Sequence, residues 1–361
     1  MQARKVALFL PDLAGGGAER VALSIASALA ERGCQVDLLL VQRRGELLPA
    51  VPPNVRLVEL GGGRILRSLV PLVRYLRRER PFAVHAFMWP LTVVALTARR
   101  LARVSTRVIV SDHTTLSQHA SGPGERRLMR WTIRRFYPAA DACVQVSNGA
   151  ADDLAALGGI PRRSVEVVPN PLVAPAHPAS NAEVDAMWGI PRGERVLTVG
   201  SLKETKDHAI LLRAFARLGR PSARLMIVGD GDLGPSLRGL AGELGVAERV
   251  IWAGFQLDPW PFYASADLFV LASRLEGQPM VLLEAMASGL TVVSTDCPHG
   301  PREMLNGGEF GRLAPVGDEA ALARAIDEAL ASPADPKTMQ QRAAELSGSA
   351  SMERHLQLML G

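Results

Sequence analysis

Short runs of consecutive apolar residues alternate along the whole chain with longer stretches whose apolar positions recur every three or four residues. In the first half the runs are VALFL (6–10), VDLLLV (36–41), VRLVEL (55–60), FAVHAF (82–87), RVIVS (107–111), ACVQVS (142–147) and VEVVP (165–169), with helical stretches such as 18–32 and 90–103 between them. The second half repeats the scheme with VLTVG (196–200), RLMIVG (224–229), RVIWAG (249–254), LFVLAS (268–273) and LTVVST (290–295). Strands alternating with helices predict βαβ units and parallel sheets covered by helices. The strands are near-continuously apolar, as strands buried on both faces require.

A length of 361 residues exceeds one typical core and suits two α/β domains. The best boundary is PNPLVAPAHPAS (169–180), with four prolines in twelve residues, followed by Pro191. The expected organisation is a Rossmann-like domain over 1–170, a linker over 171–191 and a second Rossmann-like domain over 192–348. The two sheets are expected to face a central cleft, and open α/β sheets bind ligands outside the carboxyl ends of their strands. The amphipathic tail, 349–361, is expected to return to the first domain.

Composition narrows the function. The three cysteines, Cys34, Cys143 and Cys297, form no CxxC or Cys/His cluster, so a disulfide framework or structural zinc site is not expected. The first apolar run is stopped by Pro11 and Asp12, which reads as a buried strand rather than a signal peptide. No apolar run is long enough to span a membrane. A cytoplasmic protein is expected. The net charge of +5 is unevenly spread: residues 1–170 hold 24 Lys+Arg against 13 Asp+Glu, and residues 171–361 hold 17 against 23. The first half therefore faces something anionic, nucleic acid or a phospholipid surface being the general candidates.

Three stretches carry candidate chemistry. Gly15-Gly16-Gly17-Ala18-Glu19-Arg20 follows the first strand and opens a helix, a backbone anion site without GxGxxG spacing. A tight strand–helix turn would look the same. Gly200-Ser201-Leu202-Lys203-Glu204-Thr205-Lys206-Asp207 is again strand, loop, helix, and brings ammonium groups to a strand's carboxyl end. A departing diphosphate needs such a combination, although a lysine pair alone is more often a solvated feature. Residues 273–289, SRLEGQPMVLLEAMASG, place Glu276 in a loop and Glu284 inside a helix starting near Pro279. A carboxylate there can accept two hydrogen bonds from a vicinal diol such as a ribose. A solvated acidic face fits poorly, because Val281, Leu282, Leu283 and Met286 crowd Glu284.

With these residues in view, the chain resembles a family 4 glycosyltransferase, a retaining class of the GT-B fold. The likeness runs through GGAER, SDHT around His113, VSNGAADDL (146–154), VPNP (168–171), VGSLKETKDHAILLRAFA (199–216), IVGDGDL (227–233) and the E-x7-E segment within 266–305. It implies that the Gly16 and Gly17 amides meet the donor phosphate or the acceptor, and that His113 sits beside the transferred sugar. Lys206 would bind the diphosphate, with Ser201 nearby where many members carry Arg. Glu276 would bind donor-sugar hydroxyls beside the amides of Gln278, Met280 and Val281. Glu284 would hold the ribose, with Gly254 and Phe255 near the base. His113, Lys206 and Glu276 are thus the implied catalytic residues. The implied donor is a nucleotide-sugar, UDP-linked by preference, carrying a hexose or N-acetylhexosamine. The implied acceptor is a hydroxyl on a glycan or lipid-linked sugar, in cell-surface polysaccharide or glycolipid synthesis.

In the implied mechanism the acceptor attacks on the face that the diphosphate leaves, and the leaving group takes the proton. Positioning and charge stabilisation are the protein's contribution. No metal or other cofactor is expected. Asp230-Gly231-Asp232 spells a DxD but follows a parallel strand, so metal binding there is not expected. His85 reads as a core or cleft histidine and His299 as a loop residue. Asp112 either orients His113 or caps its strand.

On the acceptor side, ERRLMRWTIRRFYP (125–138) and RILRSLVPLVRYLRRERP (64–81) are basic amphipathic helices with aromatics. These read equally as helices packed on a sheet with a solvated arginine face or as membrane-surface elements on the cytosolic face of the inner membrane. No nucleic-acid recognition motif accompanies them. A sugar-nucleotide 2-epimerase shares the architecture and is the first alternative. A NAD-dependent oxidoreductase lacks its GxGxxG here, and a non-catalytic nucleotide-binding protein is a further alternative.

Overall fold

A computed structural model describes residues 4–61, 63–175 and 179–361. The chain divides into two compact units, Met1–Pro171 with Ser349–Gly361, and Leu172–Gly348.

The first unit is built from β1 (Lys5–Leu10), α1 (Gly17–Glu31), β2 (Gln35–Leu40), β3 (Val55–Glu59), α2 (Leu69–Glu79), β4 (Ala83–Phe87), α3 (Leu91–Ala102), β5 (Arg107–Asp112), α4 (Leu116–His119), α5 (Pro123–Phe136), β6 (Ala142–Gln145), α6 (Asn148–Gly158) and β7 (Glu166–Val167). All its strands pair in parallel in the order β3-β2-β1-β4-β5-β6-β7. The order reverses direction between β1 and β4, so the loops leaving those strands diverge there. That is where doubly wound sheets open a ligand crevice. Helices α2, α3, α5 and α6 pack one face through Leu72, Leu76, Val94, Met129, Ile133 and Leu154, among others, over Phe9, Val84 and Val110.

The second unit contains α7 (Ala182–Trp188), β8 (Arg195–Val199), α8 (His208–Ala216), β9 (Arg224–Val228), α9 (Gly234–Glu243), β10 (Val250–Gly254), α10 (Trp260–Ser265), β11 (Leu268–Leu271), α11 (Met280–Ala287), β12 (Thr291–Thr295), α12 (Gly300–Met304), β13 (Arg312–Ala314), α13 (Glu319–Ala331) and α14 (Pro336–Ser347). Its six parallel strands run β10-β9-β8-β11-β12-β13, with the reversal between β8 and β11. The terminal helix α15 (Ser349–Leu360) belongs to the first unit, where Arg354 pairs with Glu166 and Arg32 with Glu353.

Two details depart from the sequence reading. Residues 171–191 are not all linker: Asn181 caps α7 by accepting the Val184 N–H at 2.8 Å, and Trp188 is buried with its Nε1–H donating to Ser265 Oγ at 2.9 Å. The second unit therefore starts before 192, because a helix with a buried tryptophan is core. Residues 176–178 of the expected linker lie outside the described residues. Strand β13 was also not anticipated; three residues are too few for a period-2 or continuous apolar signal.

Candidate active site

In the second unit the two strands that flank the reversal supply the key residues. The loop after β8 makes a single 3₁₀ turn, Glu204–Lys206, and hands over to α8 at Asp207. Asp207 has φ of 45°, a left-handed conformation that Asp tolerates better than most residues, and its carboxylate caps the Ile210 N–H at 3.4 Å. The loop after β11 runs alongside it. Three contacts stitch the loops together: Arg274 N–H donates to Thr205 C=O at 2.8 Å, Arg274 Nε donates to Asp207 Oδ2 at 2.6 Å, and Lys206 Nζ donates to Glu276 Oε1 at 2.6 Å. Ser273 Oγ donates to the same Glu276 oxygen at 2.6 Å. Glu276 is buried and charged, so the ammonium and hydroxyl offset its desolvation.

Eight residues on, Glu284 sits inside α11, and its Oε2 accepts the hydroxyl of the fully buried Tyr263 at 2.7 Å. Pro279 is the cap residue of α11, with Met280 at its first position. Gln278 and Met280 are buried and Val281 half-buried. The loop closes on Gly300, where a Cβ would lie 2.4 Å from Gly277 C=O, so no larger residue fits without displacing it. Cys297, just past β12, is buried beside this cluster; burial first, then the charge of Glu276, push its thiol up to about 12. Ser201 lies in the β8 loop, where its C=O accepts the Lys203 N–H at 2.9 Å. Gly254 ends the edge strand β10 with its C=O accepting the Gly229 N–H at 2.8 Å, and Phe255 follows, half-buried. Parallel pairing puts all these loops on one edge of the sheet. Asp230 of the DxD turns back on its own loop, accepting the Gly231 N–H at 2.7 Å.

In the first unit His113 follows β5 at the sheet's carboxyl edge. His85 Nε2 and Ser111 Oγ lie 2.9 Å apart, and the histidine is the donor because the hydroxyl proton is committed to His113, whose own proton is on Nδ1 facing the Asn170 oxygen. The Ser111 hydroxyl then donates to His113 Nε2 at 3.3 Å, and His113 Nδ1–H donates to Asn170 Oδ1 at 3.0 Å. Phe87 stacks between the rings, 4.2 Å from His85 and 5.4 Å from His113. Burial holds His113 neutral, down to about 4, with His355 reinforcing and the Asn170 bond opposing. Asp112 does not orient His113. Its carboxylate accepts the Trp89 N–H at 2.6 Å and the Tyr137 hydroxyl at 2.8 Å, tying the loop after β4 to the end of α5, and burial raises it to about 6.

Gly16 and Gly17 are exposed at the start of α1. A Cβ on Gly16 would lie 2.4 Å from Glu19 Oε2, so the buried Glu19 side chain folds back over the helix N-terminus in the manner of a capping box.

Residues 15–173 match the sequence model of "Glycosyltransferase Family 4", and residues 193–332 that of "Glycosyl transferases group 1". The lipopolysaccharide core biosynthesis glycosyltransferase LpsE of Rhizobium meliloti is 30% identical, covering 88% of this chain and 86% of its own. The chain belongs to the family 4 glycosyltransferases. The N-acetylgalactosamine-N,N'-diacetylbacillosaminyl-diphospho-undecaprenol 4-alpha-N-acetylgalactosaminyltransferase of Campylobacter jejuni is 29% identical over 88% of each chain. Among solved structures, Anabaena HepE in complex with UDP and glucose matches with a TM-score of 0.83 at 21% identity, over 99% of each chain. WaaG, a glycosyltransferase of lipopolysaccharide biosynthesis, matches at 0.75 and 20% identity, over 99% of this chain and 100% of its own. The fold is GT-B.

Several residues that hold this glycosyltransferase's candidate site together escape sequence reasoning. Tyr263 is an ordinary polar residue until the fold brings it to Glu284, and Ser111 and Asn170, though they stand within the SDHT and VPNP segments, are brought together at His113 only by the fold. Ser273 and Arg274 lie three and two residues before Glu276, within the SRLE segment, and that proximity was the available signal.

Proposed function

We propose that this glycosyltransferase is a retaining enzyme that moves a hexose or N-acetylhexosamine from a UDP-sugar to a hydroxyl of a lipid-linked or glycan acceptor. The observation that carries the reading is the Lys206–Glu276 pair at the reversal between β8 and β11, together with the pair of Tyr263 on α10 and Glu284 on α11. Glu284, oriented by Tyr263, accepts two ribose hydroxyls. Lys206 is drawn toward the diphosphate and stabilises the charge that grows on its oxygen as the glycosidic bond breaks. Glu276, relieved of its ammonium, accepts hydroxyls of the donor sugar, and the amides of Gln278, Met280 and Val281 face the same ligand. Gly254 and Phe255 border the base, and Ser201 lies by the diphosphate.

The acceptor hydroxyl attacks the anomeric carbon on the face that the diphosphate leaves. Its proton passes to the departing β-phosphate oxygen, so neither an enzymic base nor a metal is needed. A neutral His113, whose Nε2 accepts from Ser111, is suited to positioning the sugar rather than to carrying a proton away. Glu19 already supplies a negative charge at the start of α1, which favours acceptor hydroxyls over a phosphate as the partner of Gly16 and Gly17.

Two relatives support this choice of substrates: the Campylobacter protein's name specifies a diphospho-undecaprenol-linked acceptor, and the Anabaena structure holds UDP and glucose. The enzyme would act in the cytoplasm, attached peripherally to the membrane that carries its acceptor. No helix among the described residues is long and apolar enough to cross a membrane. The test is a panel of UDP- and GDP-sugars incubated with lipid-linked acceptor extracts, reading nucleotide release and the anomeric coupling of the product. UDP released only with acceptor, and a product with the donor's configuration, is the expected result. Interconversion of the donor sugar without UDP release would point to the epimerase alternative. An inverted product would overturn the mechanism.

A further inference from the structure

His299 stands in the loop after β12 with φ of 75° and ψ of −106°. Arg80, Arg103 and Asp207 also have positive φ, but with ψ of 54°, 47° and 48° they are in the left-handed helical conformation, each at a helix end. The ψ of His299 lies outside that region, near a strained γ-turn that residues with a Cβ rarely adopt. Such a conformation persists only where the surroundings over-determine it, and it gathers at ligand sites.

The surroundings of His299 do over-determine it. Thr295 Oγ1, at the end of β12, donates to Ser273 C=O at 2.5 Å, and the Asp296 N–H donates to Ala314 C=O at 2.7 Å. Arg302 Nε donates to Asp296 Oδ1 at 2.9 Å and its Nη2 to Oδ2, closing the loop across His299. Cys297 is buried, and a Cβ on Gly300 would meet Pro279 Cδ at 2.9 Å as well as Gly277. Pro298 and Pro301 restrict the chain on both sides.

These contacts also fix where the imidazole is carried. The loops after β11 and β12 leave paired strands and touch twice, at Ser273 with Thr295 and at Gly277 with Gly300. Glu276 and His299 each stand one residue before the second contact, so the two loops bring them alongside each other. Burial first and then the charge of Glu276 raise the thiol of Cys297, two residues before His299, which agrees with that placement. The His299 ring is half-buried and makes no hydrogen bond or ion pair among the described residues. In the proposed donor site Lys206 meets the diphosphate and Glu276 the sugar, so a group alongside Glu276 meets the sugar. Glu276 can only accept hydrogen bonds, whereas an imidazole brings an N–H donor on a rigid ring.

We propose that His299 is a specificity-determining residue of the donor site: its imidazole hydrogen-bonds to a substituent of the transferred sugar and selects among UDP-hexoses and UDP-N-acetylhexosamines that differ there. This rests on the UDP-sugar reading and adds the residue that chooses the sugar. A glycine would satisfy the loop without strain; the histidine is held there by its neighbours and contributes the ring.

The test compares the full-length wild type with His299→Gly and His299→Asn, using UDP-glucose, UDP-galactose, UDP-N-acetylglucosamine and UDP-N-acetylgalactosamine with a lipid-linked acceptor extract. His299→Gly should lower kcat/KM for the preferred donor about tenfold, and the less favoured donors less, so that the ranking flattens. His299→Asn tolerates positive φ and keeps an N–H donor, so it should recover part of the selection. UDP carries no sugar, and its calorimetric affinity should be the same for all three proteins. Relief of strain should raise the melting temperature of His299→Gly by about 2–4 °C. An unchanged donor ranking in His299→Gly would overturn the proposal. So would a joint fall in melting temperature and UDP affinity, since the ring would then serve the loop's packing. Transfer with an unchanged ranking rejects only the role of His299, whereas a wild type that transfers from no UDP-sugar overturns the reading on which the proposal rests.

Discussion

Lys206 Nζ lies 2.6 Å from Glu276 Oε1, across the gap between two loops that leave neighbouring strands in opposite winding directions. They stand 70 positions apart and are brought together by the sheet order rather than by local sequence. The pair holds a basic and an acidic group ready in one place, and a ligand with both phosphate and hydroxyl groups can divide them.

Lys206→Ala is therefore expected to lower turnover about 10²–10³-fold, the usual loss for a donor to a developing oxyanion. Initial rates at saturating donor measure this. Lys206→Arg should recover only part, because a planar fork cannot take the place of a point charge at the same distance.

Tyr263→Phe removes the hydroxyl that Glu284 accepts at 2.7 Å without changing the ring's packing. A hydrogen bond to a charged group contributes about 1.5–3 kcal/mol. The donor KM should rise by about one order of magnitude while kcat changes little, since ribose contacts are the same in ground and transition states.

Gly300→Ala places a methyl group 2.4 Å from Gly277 C=O, a backbone atom that cannot move away by itself. Overpacking of this kind costs about 1–3 kcal/mol. Thermal unfolding should detect that loss, and donor affinity should fall with it, because Gly277 belongs to the Glu276 loop.

Ser111→Ala breaks the chain from His85 to His113. Loss of a neutral hydrogen bond of about 0.5–1.5 kcal/mol predicts a two- to twelvefold fall in turnover. A structural role would move stability alone. The distinguishing readout is ¹⁵N NMR of the histidines: His113 Nδ1, held by Asn170, should keep its proton in both proteins, while the His113 Nε2 resonance should move in the variant toward that of an acceptor nitrogen with no donor.

Stability should fall on mild acidification. Burial pushes His113, His208 and His355 down to about 4 and His85 well below its ordinary value. The unfolded chain takes up these protons near pH 6.5. Stability is thus complete above that pH and is lost as pH falls toward 4. Asp112 acts in the opposite sense: raised to about 6, it lets the folded chain bind a proton first between pH 6 and 3.8, which returns part of the loss. Four histidines against one aspartate leave a net decrease. Melting temperatures measured from pH 7.5 to 4.5 at constant ionic strength should decline steadily below pH 6.5, and a flat profile would contradict the burial of these imidazoles.

The strands of both sheets were legible in sequence because parallel strands must be apolar over their whole length, and the E-x7-E segment was legible because its acids stand among core residues. Helix α7 was hidden by the prolines around it, and β13 by its three-residue length. The partners of the site residues were less visible. Tyr263 comes to Glu284 from 21 residues away and Asn170 to His113 from 57, pairings that only strand order and helix packing create. Asp112 stands next to His113 in the chain, yet consecutive strand residues point to opposite faces, and it serves Tyr137 and Trp89 instead.

The central claim is that the carboxyl edge of the second unit's sheet holds a nucleotide-sugar through Glu284. Calorimetric titration of UDP into the wild type and Glu284→Ala tests it most directly. The account predicts saturable one-to-one binding by the wild type and at least a tenfold weaker constant for a folded variant; equal affinities would contradict it.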